Sequence, residues 1–141
     1  MKTVLFVCTG NTCRSPMAAC MLNELARQGG HNLRALSAGI GAVDGLPASQ
    51  GARRAMQRRG LSLEGHASQA VTEDLLQKAD LVVGMTPRHT ALVRAMGASA
   101  PLYAFDDPPI PDPYGGDDAQ YEQAAQDICR QLPALLDRLQ V

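Results

Sequence analysis

Residues 4–16 read Val4-Leu5-Phe6-Val7-Cys8-Thr9-Gly10-Asn11-Thr12-Cys13-Arg14-Ser15-Pro16. Four β-favouring apolar residues in succession form a strand buried on both faces, and Thr9-Gly10-Asn11 stop it in a tight loop. Ser15-Pro16 then opens a helix, because a Ser hydroxyl can cap free N–H groups and Pro tolerates the first helical position. Met17, Ala18, Met21, Leu22, Leu25 and Ala26 supply its apolar stripe, and Gly29-Gly30 end it.

Beyond this unit, Leu33 to Ala38 reads as a second strand and Pro47 to Arg59 as a second helix whose Arg53, Arg54, Arg58 and Arg59 face solvent. A short helix over Thr72 to Lys78 precedes a third strand at Ala79 to Met85. A helix over Pro87 to Met96 and a fourth strand at Ala100 to Phe105 follow. Residues 106–118, rich in Asp, Pro and Gly, form a loop, and Asp118 to Leu139 resumes helical spacing. The order βαβααβαβα predicts an α/β fold, a single-domain open parallel four-stranded sheet over residues 1–141 with helices on both faces. Ligands of such sheets bind at the carboxyl ends of the strands, where the loop after the first strand lies.

Composition excludes several classes. The 141 residues carry 13 Lys plus Arg against 14 Asp plus Glu, a net charge of -1, which argues against a dedicated nucleic-acid or membrane binder. No run approaches the roughly 18 apolar residues of a membrane span, and the apolar stretch after Met1-Lys2-Thr3 is too short for a signal peptide. Cys8, Cys13, Cys20 and Cys129 are unevenly scattered and read as free thiols. A reducing, cytoplasmic location is expected.

Cys8 to Ser15 is a C-x5-R-S loop between a strand and a helix. Successive N–H groups in a curved loop, together with a helix N-terminus, make an anion cradle over Thr9, Gly10, Asn11, Thr12, Cys13, Arg14 and Ser15, and the same field stabilises a thiolate at its base. Cys8 is then a nucleophile. Arg14 adds a planar two-pronged donor for two phosphate oxygens, which Lys cannot imitate. Gly10 is expected to take a backbone conformation closed to most residues, and the Ser15 hydroxyl to donate to the Cys8 sulfur. Phosphoryl transfer also needs an acid for the leaving group. Of the loop carboxylates, Asp112 is held between Pro111 and Pro113 ahead of Tyr114, which stiffens it over a pocket. Asp117 and Asp118, just ahead of the last helix, read as cap residues.

VLFVCTGNTCRSPMA at the N-terminus, with Asp112-Pro113-Tyr114 some 100 residues later, resembles the low-molecular-weight protein tyrosine phosphatase family over nearly the whole chain. Ser37-Ala38-Gly39 and His66 belong to the same likeness. The resemblance implies a catalytic trio of Cys8, Arg14 and Asp112, with a phosphocysteine intermediate that water hydrolyses. It also implies a supporting network of Asn11, Ser15, Ser37 and His66 that holds the loop in shape. Its substrates would be phosphorylated proteins, and no cofactor or metal is expected.

Tyrosine-specific members usually carry an aliphatic residue where this chain has Thr12, and often a second aromatic where it has Gly115-Gly116. CTGNTCRS with a DP-aromatic-GG loop is similar to the bacterial protein arginine phosphatase branch. A Thr12 hydroxyl can accept from a guanidinium N–H or steer the attacking water, whereas Ile offers a phenyl ring only apolar contact. Thr12 and Tyr114 are therefore the expected specificity residues, phosphoarginine the expected substrate and phosphotyrosine the alternative. An arsenate reductase would need resolving cysteines further along, and residues 21–128 contain none. Gly39-Ile40-Gly41 lacks the third glycine of a dinucleotide fingerprint. A phosphate-binding module without catalysis and a thiol redox sensor built on Cys8 and Cys13 are the non-enzymatic readings. Oligomeric state is left open by the sequence.

Overall fold

The structure is a computed structural model that describes residues 1–140. Its elements are β1 (Lys2–Cys8), α1 (Arg14–Gly29), β2 (Leu33–Gly39), α2 (Gln50–Gln57), α3 (Glu73–Lys78), β3 (Leu81–Gly84), α4 (Pro87–Ala95), β4 (Leu102–Ala104) and α5 (Asp118–Leu139). All strand pairs are parallel, in the order β2-β1-β3-β4. This is the expected sheet, with β1 central because its Val4 to Val7 run is apolar on both faces.

Val4 and Phe6 point into a core shared with α1, α2 and α5, and Leu5 and Val7 into a smaller one beneath α3 and α4. Phe6 and Phe105 meet at 6.1 Å between ring centroids at the centre of the larger core. Tyr121, Ala124, Ala125, Ile128, Leu132 and Leu135 form the buried stripe of α5 at helical spacing. Asp117 caps that helix in a capping box with Gln120, as its position ahead of the helix suggests. No helix among the described residues is long and apolar enough to cross a membrane.

Several boundaries differ from the sequence reading. The first helix begins at Arg14 with Cys13 at the N-cap, so Ser15 lies inside the first turn and does not cap it. Its hydroxyl is turned toward Cys8, a partner that local periodicity cannot reveal. The second helix starts at Gln50, not Pro47, because Ser49 accepts from the Ala52 N–H and fixes the cap there. The arginines of α2 are at the surface but not merely solvated. Arg54 pairs with Asp118 at 2.9 Å, and Arg58 and Arg59 pair with Glu122 at 3.0 and 2.7 Å, tying α2 to the start of α5.

Register brings the functional ends together. Cys8 pairs with Gly39 and Val7 with Gly84, so the loops after β1, β2 and β3 open on one edge of the molecule. A Cβ on Gly39 would lie 2.5 Å from the Thr9 carbonyl oxygen, so only glycine lets the end of β2 pass this close to the loop.

Candidate functional site

The loop from Cys8 to Arg14 is wound around the Cys8 sulfur. Cys8 Sγ lies 2.8 Å from Ser15 Oγ and accepts from the Asn11 N–H at 3.3 Å. Asn11 is fully buried and has a φ of 57°, the left-handed conformation that Asn tolerates better than most residues. The sequence reading assigned the unusual conformation to Gly10. Gly10 has no positive φ, and the sharp turn falls one residue later.

Four contacts hold Asn11 there. Its Nδ2 donates to Ser15 Oγ at 2.8 Å, its Oδ1 accepts from the Gln69 N–H at 2.9 Å, and His66 Nε2 lies 2.7 Å from its carbonyl oxygen. The fourth is its own N–H on the Cys8 sulfur. Asn11, Ser15 and His66 thus meet at the loop. Ser37 reaches this network through its backbone: its carbonyl accepts from Gln69 Nε2 at 3.0 Å. Gln69, which links Asn11 to Ser37, has no motif around it that the sequence could show.

Arg14 is buried, extending from the first turn of α1 beneath the 106–118 loop. Its Nη1 donates to the Ile110 carbonyl at 3.0 Å, and its Nη2 lies 3.7 Å from Asp112 Oδ2. Ile110 is itself fully buried, its N–H bonded to the Met85 carbonyl. The loop is therefore anchored to the end of β3 and delivers Asp112 to the guanidinium. Asp112 is half-exposed, and its Oδ1 accepts from the Tyr114 N–H at 3.1 Å.

Cys8 through Arg14, Gly41, Val43, Leu46, Asp112 and Tyr114 line one cavity of about 300 Å³. Tyr114, Val43 and Leu46 form an exposed apolar rim. Asp106 and Asp107, the neighbouring carboxylates, do not line it. A larger hollow of about 680 Å³ lies behind the loop, reaching His66 and Gln69 but none of residues 8–14.

The second thiol has partners of its own. Cys13 Sγ lies 3.3 Å from Ser49 Oγ and 3.4 Å from the Tyr121 hydroxyl, so α2 and α5 hold the base of the loop together. Burial and the contact with Cys13 push the Tyr121 hydroxyl up to about 12, which keeps it neutral. His89, in the first turn of α4, was also missed. It is buried, and Nε2 stands 3.0 Å from Thr9 Oγ1. Its signal was topological: a polar residue just after β3 must sit beside the loop once β1 and β3 are neighbours.

A buried arginine, a half-exposed carboxylate and a sulfur fed by an N–H and a hydroxyl are the parts of a covalent phosphoryl-transfer site. The family model described as low molecular weight phosphotyrosine protein phosphatase matches residues 3–141. The chain belongs to this family. Among the relatives of this phosphatase is the probable low molecular weight protein-tyrosine-phosphatase EpsP of Ralstonia nicotianae, 35% identical over 99% of this chain and 97% of that protein. A protein-arginine-phosphatase of Bacillus subtilis is 32% identical over 96% of this chain and 95% of its own length. The YwlE arginine phosphatase, solved as a cysteine-to-serine mutant with a phosphorylated active-site serine, superposes with a TM-score of 0.91 at 30% identity. That likeness covers 98% of this chain and 95% of YwlE.

Proposed function

We propose that this phosphatase hydrolyses phosphoarginine in proteins through a phosphocysteine intermediate. The observation that carries the reading is one cavity lined by Cys8, by Arg14 with Asp112 3.7 Å from its guanidinium, and by the polar Thr12.

The Cys8 thiolate attacks phosphorus, and the bond from phosphorus to the leaving nitrogen breaks as its electron pair goes to that atom. Asp112 gives the leaving group a proton. Water then attacks the phosphocysteine, Asp112 takes the water's proton, and the sulfur leaves as a thiolate with inorganic phosphate released. Arg14 and the loop N–H groups hold the non-bridging oxygens throughout. The Asn11 N–H and Ser15 hydroxyl receive the charge returned to sulfur. No step in this sequence requires a cofactor.

Support for arginine over tyrosine comes from Thr12 and from the protein-arginine-phosphatase relatives. The apolar rim of Val43, Leu46 and Tyr114 favours the second reading, phosphotyrosine, since an aryl ring would pack between these side chains. Matched phosphoarginine and phosphotyrosine peptides tested on wild type and Thr12→Ile decide between them. The substitution deletes a hydroxyl and adds apolar bulk. A lost hydrogen bond to a charged guanidinium costs about 1.5–3 kcal/mol, so the ratio of the two kcat/KM values should move toward phosphotyrosine by about one to two orders of magnitude. Parallel declines would mean that Thr12 only shapes the loop, and the assignment would return to a tyrosine phosphatase.

A further inference from the structure

His89 is a buried group beside the loop that the phosphoryl chemistry does not use. His89 is 3% exposed, and each of its ring nitrogens faces a hydroxyl. Nε2 lies 3.0 Å from Thr9 Oγ1, and Nδ1 lies 2.9 Å from Thr86 Oγ1. Thr9 follows the Cys8 nucleophile, is exposed, and lines the cavity. Thr86 sits at the N-cap of α4, yet its hydroxyl accepts from none of the helix amides and is free to turn toward the ring.

The ring is neutral near pH 7. Burial, then the nearby charges of Arg14 and Arg88, bring its pKa down to about 4, against a smaller upward pull from Asp112. A neutral imidazole has one N–H and one acceptor nitrogen, so the two hydroxyls must take opposite roles. If Nδ1 carries the proton, the Thr9 O–H is spent on Nε2 and its lone pairs face an incoming phosphoryl dianion. If Nε2 carries it, the ring donates to Thr9 and the Thr9 proton is left for the anion. Only the second arrangement is attractive in a site built to hold negative charge.

We propose that His89 is a positioning residue in its Nε2–H tautomer, accepting from the Thr86 hydroxyl and donating to Thr9, so that Thr9 O–H becomes an additional donor to the bound phosphoryl group. The proposal rests on reading the cavity as a phosphoryl site. His89 itself does not touch substrate. It acts by fixing the direction of one hydroxyl, which in its absence would rotate freely or bond to water.

The test is inorganic phosphate binding by calorimetry, with kcat and KM on a phosphopeptide, for wild type, His89→Ala, His89→Gln, Thr9→Val and the His89→Ala/Thr9→Val double variant. One hydrogen bond to a charged group predicts roughly tenfold weaker phosphate binding in His89→Ala and in Thr9→Val. The double variant should be no worse than either, because both substitutions remove the same donor. His89→Gln, whose amide N–H can stand near the Nε2 position, should recover most of the affinity. Nitrogen NMR of the ring in the free protein should find the proton on Nε2. Additive losses in the double variant, wild-type phosphate affinity in His89→Ala, or a proton on Nδ1 would each overturn the proposal. A wild-type protein that neither binds phosphate nor turns over phosphopeptide would refute the phosphatase reading instead, and the ring tautomer would still decide this one.

Discussion

Asn11→Ala removes the residue on which most of the loop's internal bonds converge, and its cost can be assembled from the structure. The lost side chain leaves the Gln69 N–H without its acceptor and Ser15 Oγ without one of its two partners. Because Ser15 keeps Cys8 and Gln69 is only partly buried, each loss belongs at the low end of the 1–3 kcal/mol range, about 1 kcal/mol apiece. Ala in the left-handed conformation that Asn11 occupies adds about 1 kcal/mol. The sum, about 3 kcal/mol, should lower Tm by roughly 10 °C in a domain of this size. Turnover should fall on the order of a hundredfold, since the N–H that meets Cys8 Sγ is displaced with the turn. Asn11→Gly makes the same two deletions without the conformational strain and should be about 1 kcal/mol more stable than the Ala variant. Thermal unfolding and phosphopeptide turnover on the three proteins measure all of this. An Ala variant melting within about 3 °C of wild type, or a Gly variant no more stable than the Ala variant, refutes the reasoning.

Asp112→Asn should depress kcat strongly for phosphopeptides whose leaving group needs a proton and much less for an activated aryl phosphate; equal losses would remove Asp112 from the acid role. Mild peroxide should inactivate the enzyme reversibly through a Cys8–Cys13 disulfide, for which Cys13 must first leave Ser49 and Tyr121; mass spectrometry finding only over-oxidised Cys8 with Cys13 reduced would rule this out. His89 has a folded pKa of about 4, below its ordinary 6.5, so the unfolded chain binds a proton in this window that the folded protein does not. Its presence therefore costs stability as pH falls from about 6.5 to about 4 and nothing extra above that range, and the stability advantage of wild type over His89→Gln, followed by urea unfolding, should shrink on acidification. A constant difference between pH 7.5 and 4.5 would show that the ring is protonated in the folded state.

What could be read from the chain depended on whether the signal was local. The run Val4 to Val7, the stripe of α1 and the Asp117 cap are all stated within a few residues, and each lies where its pattern puts it. The loop was legible because strand, Cys8, Arg14 and helix start follow one another without interruption. Ser15 shows the limit. Its type and position suit a cap, but its hydroxyl has a better partner in the buried sulfur seven residues back, and tertiary contact overrides local preference. The Gly10 and Asn11 assignments exchanged for a similar reason: glycine is the default for a positive φ, but here Asn11 is held there by His66 and Gln69 from a distant segment. Gln69, Tyr121 and His89 could not be found by motif at all, because each acts through one atom that only the folded arrangement brings to the loop.

The two substrate readings share every step of chemistry, so discrimination must come from the cavity wall. Arg14 and the loop N–H groups contact the phosphoryl oxygens, which are the same in phosphoarginine and phosphotyrosine. Cys8 attacks the same phosphorus, and Asp112 reaches the leaving atom whether it is nitrogen or oxygen. Substitutions of Arg14 or Cys8 should therefore depress both activities together, and those of Asp112 in proportion to each leaving group's need for a proton. In the proposed reading the rest of the substrate would meet Thr12, Val43, Leu46 and Tyr114, which line the same cavity. A guanidinium is planar, charged and poor in apolar surface, and gains from an acceptor hydroxyl; a phenyl ring gains from the rim. Because the wall offers both, selectivity is a difference between two modest terms, and replacing the one hydroxyl with an alkyl group, as in Thr12→Ile, should be enough to shift it. Relatives of nearly equal similarity bear both names, so identity alone does not assign the substrate. Thr12 and the rim side chains are the positions whose substitution should move the two activities apart through contact with the rest of the substrate, whereas Asp112 separates them only through the proton each leaving group needs.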